Sequence, residues 1–277
     1  MTERPLPPVL PSCTMVTRLF TRRMLAERRR LIAGITIGGF LLALLTTALY
    51  SSLGAEYDAL FEEMPAALVS MLGDAELGTI EGWLQAEVFS FMGPGLVIGS
   101  AISVGSGGLA GAERGGRLAL VSSGPVKRST IVISVAITIA ITAAITTGGL
   151  VFGILVGAFL AGVSVSVANV LAASLLLTLL AVTIGALALA AGAVTGRRGT
   201  STAAAVVVAV ASYCIFSFFP LSARLDSFAS VSFWHLYAGG RPLTTGLNFA
   251  HVLIFAIAIT AAVAVSIIGF ERRDLTG

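Results

Sequence analysis

Charge is what this chain lacks. Of its 277 residues only 11% are Asp, Glu, Lys or Arg, while 56% are apolar and mean hydropathy is +0.97. A soluble domain carries about a quarter charged residues, so the composition excludes an ordinary globular enzyme and a disordered chain alike. Cysteine is nearly absent. Cys13 and Cys214 lie far apart in different kinds of segment, which excludes a disulfide framework or a zinc site. Lysine occurs once, as Lys127, and it follows Val126, so no Gly-Lys-Ser/Thr phosphate loop exists. The two histidines, His235 and His251, are not followed by glutamate, which excludes a His-Glu-x-x-His zinc helix. Gly-x-Ser-x-Gly is missing too; Gly105-Ser106-Gly107 and Gly99-Ser100-Ala101 do not supply it.

What is present is apolar length. A spanning helix uses about 20 apolar residues. Uncharged runs at 31–53 and 88–112, a charge-free stretch of 66 residues at 129–194, and runs at 202–221 and 249–270 meet that need. The long stretch is about three bilayer cores in length at ~1.5 Å per residue, so it must fold back on itself. Gly157, Gly162 and Ser164 mark the turn, giving spans at 129–157 and 165–194. The run at 31–53 is longer than the 7–15-residue core of a secretory signal, so it is retained as a helix. The predicted fold is an all-α polytopic membrane protein with six transmembrane helices. Residues 1–30 form a tail and an interfacial helix, and 31–277 the membrane domain.

The basic residues set the orientation. Seven precede the first span (Arg4, Arg18, Arg22, Arg23, Arg28, Arg29 and Arg30), and Arg114, Arg117, Lys127 and Arg128 lie between the second and third. Arg197 and Arg198 follow the fourth span, and Arg272 and Arg273 follow the sixth. Only Arg224 and Arg241 fall on the other side, together with nine of the 14 carboxylates. Positive charge stays in the cytoplasm, so both termini are expected there, in the cell membrane. The surface that this charge suits is anionic lipid rather than nucleic acid.

Three segments are not spans. From Met15 to Leu31, Val16, Leu19, Phe20 and Met24 fall on one helical side with Arg18, Arg22 and Arg29 opposite. That pattern predicts an amphipathic helix in the inner interface, or simply a positive-inside anchor. Tyr57, Leu60, Phe61, Met64, Leu68, Met71 and Leu72 predict an amphipathic outer helix, broken or restarted at Pro65. The segment 222–248 holds Phe228, Phe233, Trp234 and Tyr237 before Gly239-Gly240-Arg241-Pro242, which reads as an aromatic anchor at headgroup level or a re-entrant pair of short helices.

The spans hold no charge at mid-depth, which weighs against an ion-coupled carrier. Asn169 is the most polar residue near the middle of its run, and a lone asparagine there glues helices together. Gly34/Gly38, Gly95/Gly99, Gly149/Gly153 and Gly153/Gly157 are G-x-x-x-G pairs, which serve packing within a chain as readily as dimerisation.

Three stretches resemble one family. Phe61-Glu-Glu-Met-Pro-Ala-Ala-Leu-Val-Ser-Met-Leu-Gly73, with Glu81-Gly82-Trp83-Leu84 and Glu87-Val-Phe-Ser-Phe91, resembles the outer loop of ABC-2-type transporter permeases. Ala112-Glu-Arg-Gly-Gly-Arg-Leu118 and Ser122-Ser-Gly-Pro-Val-Lys-Arg128 are similar to that family's inner loop, and Phe270-Glu-Arg-Arg-Asp-Leu275 to its C-terminus. Two positions depart: Gly116 stands where threonine is usual, and no lysine lies near Ser134 or Val135. The resemblance implies a permease subunit of an ATP-driven transporter, an exporter, paired with a second permease, in a homodimer or heterodimer. ATP and Mg would sit on a dimer of separate ATP-binding subunits, leaving this chain without cofactor, metal or catalytic residues. Glu113, Arg117, Pro125, Lys127 and Arg128 would form the loop that touches the ATPase, and the basic helix with Arg18, Arg22 and Arg29 the interfacial elbow. A scaffold that recruits a soluble partner through the same loop is the alternative.

Overall fold

A computed structural model describes residues 13–61, 79–109, 127–222 and 224–273. Within these, every regular element is helical, and six helices are long and apolar enough to cross a membrane. The chain is a multi-pass helical membrane protein. The predicted outer amphipathic helix, Glu113, Arg117 and Pro125 lie at least partly or wholly outside the described residues.

Helix α1 (Cys13–Phe61) carries the first span. The second span begins as α2 (Ile80–Leu84), widens into a π-helical turn (Gln85–Met92) and continues as α3 (Gly93–Gly108). Helices α4 (Arg128–Ala161) and α5 (Val167–Thr195) form the predicted hairpin. Gly162 makes the turn with a left-handed φ of 68°, and Ser166 caps α5 through the Asn169 amide. Helix α6 (Arg198–Phe218) and α9 (Phe249–Glu271) are the last two spans. Between them lie α7 (Asp226–Ala229), a second π-helical turn (His235–Gly239) and α8 (Pro242–Thr245).

Helix α5 is apolar all round its circumference, and such a helix belongs in an interior. It is the most enclosed span and packs on α3, α4, α6, α8 and α9. Helices α6 and α9 turn most of their surface outward.

The basic stretch departs from expectation. It is helical, but it forms the first turns of one unbroken helix of 49 residues rather than a separate piece. At ~1.5 Å per residue that rod is about 73 Å long. Residues 13–33 contain no Pro or Gly to end a turn, and Ala26, Glu27, Leu25 and the arginines all favour helix. Of the expected apolar stripe, Val16, Phe20 and Met24 are half-buried. Thr21 and Ile32 are buried while Leu19 is exposed. Thr21 Oγ1 donates to the Ser134 carbonyl at 3.4 Å, and Thr138 Oγ1 reaches Met24 Sδ at 3.9 Å.

Close packing continues upward along α4. Gly149, Gly153 and Gly157 share one face, and a Cβ built on each would meet the carbonyls of Thr36, Phe40 and Leu44 at 2.8, 2.4 and 2.8 Å. Only hydrogen fits there, so these glycines let two backbones touch in a parallel pair. The pairs Gly34/Gly38 and Gly95/Gly99 face open space instead. On its other side α1 runs antiparallel to the second span. Arg28 donates to the Ser103 carbonyl at 2.8 Å, and Trp83 Nε1 to the Thr46 carbonyl at 3.0 Å.

Gly153→Val should force α1 and α4 apart and lower stability in detergent by about 1–3 kcal/mol. Gly148→Val, where nothing lies within 4 Å of the new Cβ, should melt like the parent protein. Thermal unfolding of the two variants side by side measures the difference.

Candidate functional site

Two places concentrate polar chemistry, at opposite ends of the bundle. The arginine-rich end holds those predicted residues that are described. Lys127 is the N-cap of α4 in extended conformation, and Arg128 opens the helix. The Arg128 guanidinium donates to the carbonyls of Phe270 at 3.1 Å and Arg273 at 2.9 Å, and lies 5.6 Å from the Phe270 ring centre. A helix C-terminus leaves carbonyls without partners and carries partial negative charge, so a cation there is well placed. Arg128 thus ties the start of α4 to the end of α9. Arg18, Arg22 and Arg29 are exposed on α1, and Arg23 pairs with Glu27 at 3.3 Å on the surface.

Arg28 is the residue that the charge pattern did not single out. It is half-buried and reaches both the carbonyl and the Oγ of Ser103, at 2.8 and 3.3 Å. Its guanidinium covers Gly107, where a Cβ would collide with Nη2 at 2.3 Å. The cue in the sequence is a glycine pair, Gly107-Gly108, at the end of a span opposite an arginine cluster. Arg273 packs over Gly196 in a similar way, and Gly196 is left-handed at φ 66°. Here glycine supplies both the φ that ends α5 and the room for the cation.

At the opposite end, the segment 222–248 is more than a surface anchor. Trp234, Tyr237 and Leu243 are buried in the core, and Phe228 alone of the four predicted aromatics is strongly exposed. Two anchors pull it in. Asn169 Nδ2 donates to the Leu243 carbonyl at 2.9 Å, so this asparagine does join elements, at the end of α5 rather than mid-membrane. Ser232 Oγ donates to the Ser212 carbonyl at 2.6 Å, and the Trp234 amide donates to Ser212 Oγ at 2.9 Å. The Gly239-Gly240-Arg241-Pro242 turn breaks the helix as expected, with Arg241 held left-handed at φ 47°.

The buried Tyr237 hydroxyl donates to the Phe89 carbonyl at 2.6 Å. Phe89 lies in the π-helical turn, where a carbonyl pairs with the amide five residues on, as Val88 does with Gly93. For Phe89 that residue is Pro94, which has no N–H. Tyr237 fills the place of the missing donor. Burial without a counter-charge pushes its phenol well above the ordinary value.

The two histidines also meet here, with ring centres 6.4 Å apart. Burial, then the neighbouring His251, lowers the His235 pKa below its ordinary value and favours the neutral ring. Among the described residues no group of three His, Cys, Asp or Glu could hold a metal ion.

Comparison with protein-family models, with curated proteins and with solved structures finds no match. The class is fixed by the helices themselves: a multi-pass membrane protein whose polar side chains secure helix ends and one irregular turn.

Tyr237→Phe should cost about 1–3 kcal/mol, because it strands a buried carbonyl. Adding Pro94→Ala supplies an N–H at the position that the turn requires, so the double variant should recover part of the loss. Melting of the parent, both single variants and the double variant tests the coupling.

Proposed function

We propose that this chain is the transmembrane subunit of an ATP-driven transporter of the ABC-2 permease type, with both termini in the cytoplasm. It works with a second permease and two ATP-binding subunits, and it exports its substrate. The observation that carries this reading is the missing energy source. The spans hold no charge at mid-depth for ion coupling, and the sequence has no phosphate loop. A transporter built this way draws its energy from a partner. The family resemblance adds the identity of that partner.

In this reading the loop with Glu113, Arg117, Pro125 and Lys127 meets the ATPase. Arg128 supports that role through its tie to the end of α9, since a partner pressing on the loop then acts on two spans. Glu113 and Arg117 are four residues apart, the spacing at which opposite charges pair on a helix. The basic first turns of α1 stand against α4 at the inner end of the bundle, with the exposed Arg18, Arg22 and Arg29 turned toward inner-leaflet headgroups.

The orientation is tested by single-cysteine labelling in a Cys13→Ser/Cys214→Ser background. Gly199→Cys should resist an impermeant maleimide in intact cells, and Thr244→Cys should react; the reverse pattern overturns the topology.

The energy source is tested by purification. The isolated chain should hydrolyse no ATP above background, and the complex isolated from its own membranes should contain a phosphate-loop ATPase whose turnover falls severalfold or more in Glu113→Ala. Turnover by the isolated chain, or a complex without an ATPase, overturns the proposal, and the second outcome favours a scaffold.

A further inference from the structure

A groove of about 440 Å³ lies between the last turn of α5 and the last turns of α9, lined by Val194, Val265, Ile268, Gly269, Arg272 and Arg273. Its size falls in the range of small-ligand sites, roughly 300–1,000 Å³. The helices touch where Gly269 meets Val194, with only 2.8 Å between a Cβ built on that glycine and Val194 Cγ2. Around this contact Val194, Val265 and Ile268 remain about half exposed. Arg272 follows Ile268 by four residues and Val265 by seven, so one helical face runs from apolar wall to cation.

The groove lies at the arginine-bearing end of a span. Helix α9 has 23 residues, about 35 Å at ~1.5 Å per residue, against a hydrocarbon core of about 30 Å. A span of that length turns its arginine-bearing end, with Arg272 and Arg273, toward one membrane surface and leaves its apolar face to lipid tails. Two further features hold this corner in shape. Arg128 secures the carbonyls of Phe270 and Arg273, and the Arg273 guanidinium rests over Gly196 at the end of α5. Arg272 is exposed beside them, with Glu271 as the adjacent carboxylate.

We propose that this groove is a binding site for one anionic glycerophospholipid of the leaflet at the arginine-rich end. One acyl chain lies along Val194, Val265 and Ile268, and the phosphate meets the guanidinium of Arg272 beside that of Arg273. Arginine suits the task, because its planar fork matches phosphate oxygens in pairs and is more weakly hydrated than an ammonium. Apolar walls alone would not distinguish one lipid from another, since every tail is equally apolar. The charge at the mouth supplies the selection. The site rests on membrane embedding and on the groove, and not on the transport reading.

Native mass spectrometry of the full-length protein, titrated in detergent with dioleoyl phosphatidylglycerol or dioleoyl phosphatidylcholine, tests the proposal. Phosphatidylglycerol should bind as one tight equivalent, about tenfold or more ahead of phosphatidylcholine. Arg272→Gln should weaken that equivalent about fivefold, the ~1 kcal/mol that one cation contributes near an anionic surface. Ile268→Trp, which fills the groove from its lipid-facing side, should weaken it as well, with melting unchanged in both variants. Arg224→Gln, exposed at the opposite end of the bundle, should bind like the parent. Equal binding of the two lipids, an unaffected Arg272→Gln, or an equal loss in Arg224→Gln overturns the site. Displacement of the lipid by millimolar inorganic phosphate also overturns it, because a soluble anion would then suffice.

Discussion

In hydrocarbon a backbone carbonyl without a donor costs several kcal/mol, and Pro94 creates one such carbonyl inside the second span. Much of the end opposite the arginines follows from that single deficit. The π-helical turn at Gln85–Met92 moves the unpaired group to Phe89, and Tyr237 supplies the hydrogen bond. For Tyr237 to arrive there, the segment between α6 and α9 must dive into the bundle rather than rest on it. Asn169 holds that segment to α5, and the Ser212–Ser232 pair holds it to α6. The π-helical turn, the inserted segment and the ends of two spans are therefore joined by one set of hydrogen bonds. A change in any of them is felt at the others.

The arginine-rich end solves the same problem with charge. Its cations do more than keep loops on one side of the membrane. Arg128 and Arg28 each donate to carbonyls of a different span, and Arg273 packs over the end of α5. One end of the bundle is thus secured by neutral donors and the other by guanidinium groups. Between them the helices depend on shape, chiefly the glycine face of α4 against α1.

Much of the architecture was legible from residue order. Bilayer thickness and helix rise required the 129–194 stretch to fold back, and Gly157, Gly162 and Ser164 bracketed the turn that Gly162 makes. What escaped was whatever depends on contacts between segments far apart in sequence. The basic stretch looked like a separate interfacial helix because its amphipathicity is local, whereas its fusion to the first span reflects only the want of a breaker. The burial of Tyr237 was not visible because an aromatic at a span end usually marks the headgroup level. Pro94 was the available sign: a proline near the start of a span leaves a carbonyl that something must reach. Likewise Gly107 and Gly196 were two glycines among 31, and nothing local shows that a guanidinium lies over each. The proposed coupling loop is legible only through resemblance, since its charge pattern serves topology equally well.

The parallel pairing of α1 with α4 also has a consequence in time. Thr21 meets Ser134 across 113 residues of chain, whereas Arg28 meets Ser103 across 75. At synthesis rates of about 5–20 residues per second, the glycine-bearing partner of α1 leaves the ribosome roughly 6–23 s after it. The second span emerges well before that. The antiparallel partner, with the groups that Arg28 and Trp83 join, is therefore available to α1 first, and the Thr36–Leu44 face has its partner only later. Assembly of the bundle then waits on the third span to close against that face. A slow or misplaced third span leaves a half-made hairpin for quality control to find.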